Sequence, residues 1–80
     1  MIIVVFQQKP DGTFTTLNKA YKTVDGAKGG IPGFGATDIV TRYDDNNGNF
    51  AMMVEGVLHV AVNVREAAEA GLRQVLALAE

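Results

Sequence analysis

The dipeptide Asn47-Gly48, set between two apolar-rich runs, most constrains what this chain can fold into. Asn and Gly tolerate positive φ, and the tight hairpin turn whose twist matches its strands requires positive φ at both central positions. Residues 37–44 and 49–55 are therefore expected to pair as antiparallel strands across Asp45-Asn46-Asn47-Gly48. With Asn47-Gly48 as the loop, Tyr43 opposes Met52, Arg42 opposes Met53 and Thr41 opposes Val54. That register gathers Ile39, Thr41, Tyr43, Phe50, Met52 and Val54 on one face. Val40, Arg42, Asp44, Ala51, Met53 and Glu55 share the other.

A second turn at Glu55-Gly56 extends the hairpin into a meander over 37–62. Leu58 and Val60 then join Met53 and Ala51, while Val57, His59 and Ala61 join Val54, Met52 and Phe50. Both faces become substantially apolar, and one helix covers only one of them.

The flanking elements follow from the same reasoning. Ile2-Ile3-Val4-Val5-Phe6 is apolar at every position, the mark of an interior strand buried on both sides. Lys9-Pro10-Asp11-Gly12 is a turn: Pro presets φ, Asp accepts local N–H bonds and Gly takes positive φ. It can close a hairpin onto residues 13–17. Leu17, Ala20, Tyr21, Val24, Ala27 and Ile31 fall at helical spacing, which favours a short helix within 17–28. The competing reading runs a Thr-rich strand to about Lys22 and starts the helix after Thr23. Four glycines and a proline between Gly29 and Gly35 make a loop. Finally, Asn63 as cap, Glu66 three residues on and a stripe through Val64, Ala68, Leu72, Val75 and Ala79 predict an amphipathic helix over 64–79. The expected fold is thus α+β: one domain over 1–80, an antiparallel sheet of three to five strands packed by the C-terminal helix, with a second short helix within 17–28.

A chain of 80 residues buries only about 60–65% of the surface its unfolded form exposes, so its stability margin is small. Disulfides and metals commonly supplement such margins. Without Cys, and with His59 as the one histidine, both routes close, and association with another protein remains. A cysteine-free chain suits the cytoplasm. The apolar N-terminus lacks the basic flank and length of a signal peptide, and no stretch has the length of a transmembrane helix.

Residues 1–42 carry five Lys/Arg against three acids, and residues 43–80 carry two against six. The basic side rests mainly on Lys19, Lys22 and Lys28, too sparse for a phosphate-binding surface, so nucleic acid is disfavoured as a partner. Asp44-Asp45-Asn46-Asn47-Gly48 imitates a calcium loop. With Gly48 at that motif's glycine, its first and twelfth ligand positions fall on Tyr43 and Val54, which cannot coordinate through carboxylates. The 29–35 loop matches no phosphate-binding pattern. His59 with Glu55, Asp44 or Asp45 is the one assembly that could do acid–base work, but the chain offers no Ser or Cys nucleophile. No cofactor is implied.

The stretch from Arg42 to Glu80 resembles HicB-type antitoxin domains through Asp44-Asp45-Asn46-Asn47-Gly48-Asn49-Phe50 and Glu66-Ala67. It departs from them where the family has Pro-Asp-x-Pro-Gly, since Val54-Glu55-Gly56-Val57 stands there.

The functional expectation is a non-enzymatic module acting by stoichiometric protein binding, as regulator, adaptor or inhibitor, and homodimeric. The expected partner-binding residues are Ile31, Phe34, Ile39, Tyr43, Phe50 and Met52. The alternatives are an antitoxin-like nucleic-acid-associated regulator using Lys19, Lys22 and Lys28, and a ligand-binding or enzymatic site around His59 and the 29–35 loop.

Overall fold

The structure, a computed structural model, describes residues 1–65. The elements are β1 (Ile3–Gln8), β2 (Phe14–Tyr21), α1 (Val24–Gly29), β3 (Ile39–Asp44), β4 (Phe50–Val54) and β5 (Val57–Asn63). The strands form a single five-stranded antiparallel sheet ordered β2-β1-β5-β4-β3.

The expected α+β architecture does not hold. The described chain is mostly sheet with one short helix, rather than a sheet packed by a C-terminal helix and a second helix. The helix expected over 64–79 lies outside the described residues beyond Val64 and Arg65. Of the two readings of residues 17–28 the competing one holds: residues 14–21 are strand, and the helix begins after Thr23, at Val24–Gly29. Leu17 and Tyr21 are four apart, an even spacing that satisfies a strand as well as a helix, and both pack against the core. Thr-rich β2 pairs with β1 on both sides of a bulge opposite Val5, which an isolated helical turn could not match. Thr23 then caps α1, its hydroxyl accepting from the Gly26 N–H at 3.0 Å.

One face of the sheet, here the inner face, carries the core. Ile3 and Val5 of β1, Phe50, Met52 and Val54 of β4, and Ala61 of β5 are buried there with Ala27 and Ile31. The lid over them is α1 with the loop that follows it, and each large side chain so buried contributes about 1.5–3 kcal/mol. Gly30 lets this lid close: a Cβ there would overlap the Tyr21 ring.

The turns set the register. Glu55 and Gly56 both have positive φ, 51° and 80°, and Val54 pairs directly with Val57, so Glu55-Gly56 is a two-residue hairpin turn. The expected β4–β5 faces hold. The Asn47-Gly48 turn does not form as expected. The loop runs from Asp45 to Asn49, with positive φ at Asn46 and Gly48. The Asp45 carboxylate gathers it, accepting from the Asn47 and Asn49 N–H groups at 2.8 and 3.1 Å and from Asn49 Nδ2 at 2.8 Å. This longer loop brings Thr41 opposite Met52, and a bulge between Thr41 and Tyr43 sets Tyr43 opposite Ala51. Tyr43 therefore leaves the Phe50–Met52 face for the opposite one, and Asp44 turns in beside Phe50.

Candidate functional site

The outer face of the sheet is the one extended surface that the described residues leave open. Cross-strand register places Val4 and Phe6 of β1, Leu58, Val60 and Val62 of β5, and Ala51 and Met53 of β4 on it. Thr16, Ala20 and Phe14 of β2 and Val40 and Tyr43 of β3 complete it at the two edges. None of these side chains is charged; Arg42, at the β3 bulge between Thr41 and Tyr43, is the charged neighbour at that edge. The central ones are half-buried by their neighbours, while Phe14, Val40 and Tyr43 are 47%, 49% and 57% exposed. Large apolar groups left in water on one continuous face are what a docking surface requires.

A hollow of about 260 Å³ opens between Phe6, Phe14 and Val60 on this face. It lies at the β2 side because Phe14 sits at the start of the edge strand, level with Gln8, while Phe6 pairs with Thr16. A second groove of about 340 Å³ lies between the two turns at the same end of β1 and β5, lined by Gln8, Lys9, Pro10, Gly12, Gly56, Val57 and Leu58. Its lining includes no carboxylate, imidazole or hydroxyl. Lys9 is the one ionisable side chain in that lining, with no second group beside it for paired acid–base work.

The expected partner-binding residues divide. Ile31, Phe50 and Met52 are at most 2% exposed and belong to the core, so they offer no surface to a partner. Ile39 is half-buried against the same core. Phe34 and Tyr43 are exposed, but Tyr43 lies on the outer face and Phe34 in the loop that covers the inner one. The six do not form one surface. What sequence reasoning missed is the outer set of Phe6, Phe14, Leu58 and Val60; their alternation with buried partners was readable, but the choice of face depended on which side the lid closed.

His59 is 1% exposed on the inner face. Its Nδ1 donates to the Val57 carbonyl at 3.0 Å, which leaves Nε2 to accept from the Gln7 amide at 3.1 Å. Burial pushes its pKa below the ordinary 6.5, opposed by the Val57 bond. The ring is neutral and lines neither hollow. The structure brings none of Glu55, Asp44 and Asp45 to it.

The acidic turn is likewise structural. Asp44 accepts from the Asn46 N–H at 2.9 Å and from Lys28 at 3.3 Å, and these bonds hold its carboxyl below the usual range. Asn49 and Asn47 do the same for Asp45. Among the described residues no group of acids and imidazoles could hold a metal ion. Of the three lysines, Lys28 is engaged by Asp44 and lies 5.4 Å from the Phe50 ring centre, and Lys19 lies 5.4 Å from that of Tyr21. Among the described residues no helix is long and apolar enough to cross a membrane.

No family model matches the chain, and no curated protein or solved structure is similar to it. The resemblance to HicB-type antitoxin domains therefore rests on residues 44–50 and Glu66-Ala67 alone.

Proposed function

We propose that this chain is a non-enzymatic interaction module of the cytoplasm that works by stoichiometric protein binding through the outer face of its sheet. The observation that carries this reading is the run of apolar side chains across that face together with the exposure of Phe14, Val40 and Tyr43. Among the described residues, an inner face covered by α1 and the loop that follows it leaves the outer face as the place where apolar area remains to be buried. Its chemistry suits a protein surface: the side chains that fill it are apolar, and a phosphate backbone would need more cations than Arg42 at the β3 bulge supplies.

The test is an apolar fluorescent dye titrated against the full chain, at concentrations low enough to keep the protein unassociated. Saturable binding is expected. The double variant Phe14→Glu/Val40→Glu should lose it with far-UV circular dichroism and melting temperature unchanged, since both side chains are half in water already. A chain that binds no dye, or binds it equally well in the double variant, refutes the proposal.

A further inference from the structure

We infer that the partner of the outer face is a second copy of this chain, packed sheet on sheet about a two-fold axis parallel to the strands, so that Tyr43 of each copy enters the Phe6–Phe14–Val60 hollow of the other. This rests on the outer face being a binding surface and names its occupant.

The argument begins with one row of residues. Tyr43 pairs with Ala51, Ala51 with Val60, Val60 with Phe6 and Phe6 with Thr16, so these five share one line across the outer face. Tyr43 stands on β3 at one edge, and the hollow lies beside Phe6 and Thr16 at the other. The middle strand between them is β5. A two-fold axis running along β5 exchanges the edges while keeping the position along the strands. It sets each copy's β3 over the other's β2, and each Tyr43 over the other's Thr16, beside the hollow. Protrusion and hollow are thus related as an isologous interface demands, each patch complementary to itself after rotation.

Size agrees. Five strands about 4.8 Å apart and paired over about six residues give a face of about 24 by 20 Å. Two such faces bury on the order of 1,000 Å² as flat projections, and side-chain relief adds to that, which reaches the size of a specific interface. Twisted sheets packed face to face align their strands to within about 30°, so a second copy is a surface of matching twist. The five residues of this row and the lining of the hollow carry no charge, so seating Tyr43 there leaves no ion unpaired. The buried Tyr43 hydroxyl would have the Thr16 side chain nearby as a polar neighbour.

The absence of cysteine makes the geometry testable by crosslinking. Sedimentation of the full chain over a concentration series should show a reversible dimer, with Tyr43→Ala raising the dissociation constant at least about tenfold, as loss of an aromatic anchor does. Next, Tyr43→Cys and Thr16→Cys chains are mixed above the dissociation constant and treated with a bismaleimide spanning about the 10 Å between packed sheets. The mixed pair should crosslink. Tyr43→Cys alone should not, since the two Tyr43 positions are about 22 Å apart, four strand spacings across and one sheet separation deep. Crosslinking of Tyr43→Cys with itself, or a dimer unaffected by Tyr43→Ala, overturns the arrangement. A strictly monomeric chain that still binds apolar dye overturns self-pairing and spares the binding face. A monomer that binds no dye, its outer face covered from within the same chain, sinks both.

Discussion

Gly12 and Gly48 share a φ of +89°, yet a Cβ at Gly12 would meet nothing within 4 Å while one at Gly48 would lie 3.2 Å from each of three atoms. The pair therefore separates backbone strain from packing strain. Alanine in this left-handed region costs about 1–2 kcal/mol, offset by about 0.4–1 kcal/mol through the stiffer unfolded chain, and both terms are common to the two sites. At Gly48 the added methyl presses on Ile3 Cγ1, Asn63 Cβ and Met1 Sδ. Met1 is exposed and can yield, but Ile3 and Asn63 are 0% and 6% exposed, and Asn63 is fixed by bonds from its N–H to Asn49 Oδ1 and from its Nδ2 to the Asn47 carbonyl. Overpacking of this kind adds about 1–3 kcal/mol. Gly12→Ala should thus lose about 1 kcal/mol and Gly48→Ala about 2–4 kcal/mol in urea unfolding. In a domain of this size each kcal/mol moves the melting temperature by about 4–8 °C, so thermal melts resolve the difference. Equal losses, within about 0.5 kcal/mol, would show that the 45–49 loop does not dock against Ile3 and Asn63 and would refute the reasoning.

Two further outcomes are expected. His59 has its folded pKa depressed below 6.5, so below about pH 6.5 the unfolded chain takes up a proton that the folded one refuses. Stability should fall with pH through that window down to the folded pKa, and the urea midpoints of His59→Gln at about pH 7.5 and 5.5 should lack this drop, leaving the loss from Asp11, Asp44 and Asp45 to appear only below their ordinary value of 3.8. Gly30→Ala should destabilise by about 1–3 kcal/mol, because its Cβ meets Tyr21 ring atoms, and the loss should shrink in a Tyr21→Leu background when measured as a double-mutant cycle.

Much of the sheet was legible because its signals are local. The all-apolar run at Ile3–Val5, the Pro-Asp-Gly turn and the alternation through β4 and β5 each depend on residues within a few positions of one another. The β1–β2 turn forms as its chemistry requires: Asp11 accepts from the Thr13 N–H at 2.9 Å and Gly12 takes positive φ. Residues 17–28 were not legible, since Leu17 and Tyr21 satisfy both periods and the decision belongs to β1, a neighbour distant in sequence. The Asn47-Gly48 signal misled for a different reason. Two aspartates precede it, and their carboxylates bind N–H groups of the loop, so a wider turn outcompetes the two-residue one. The turn expected at Glu55-Gly56 is the tight one, and there a non-glycine residue takes positive φ where Val54 and Val57 pair directly. His59, the site residue most open to a chemical reading, was burial-dependent throughout, and burial follows from the lid formed by α1 and its loop.

The bulge at the end of Thr41 links these local outcomes to the proposed function. Without it, two-residue alternation would carry Tyr43 to the inner side with Thr41, where Lys28 and Asp44 now sit over Phe50. One extra residue reverses the alternation for Tyr43 and Asp44 together. Asp44 turns in and pairs with Lys28, closing the rim of the core above Phe50, while Tyr43 turns out onto a face that otherwise ends in the small methyl of Ala51. The same irregularity bends the edge strand and so discourages open-ended pairing along β3. An exposed aromatic ring at a bulged edge, level with an apolar hollow at the opposite edge, is better suited to closed face-to-face association than to strand addition. Shortening the 45–49 loop to a two-residue turn that abolishes the bulge should therefore weaken dimerisation, while a variant that keeps the bulge and merely removes the Lys28–Asp44 pair should lower stability and leave dimerisation intact.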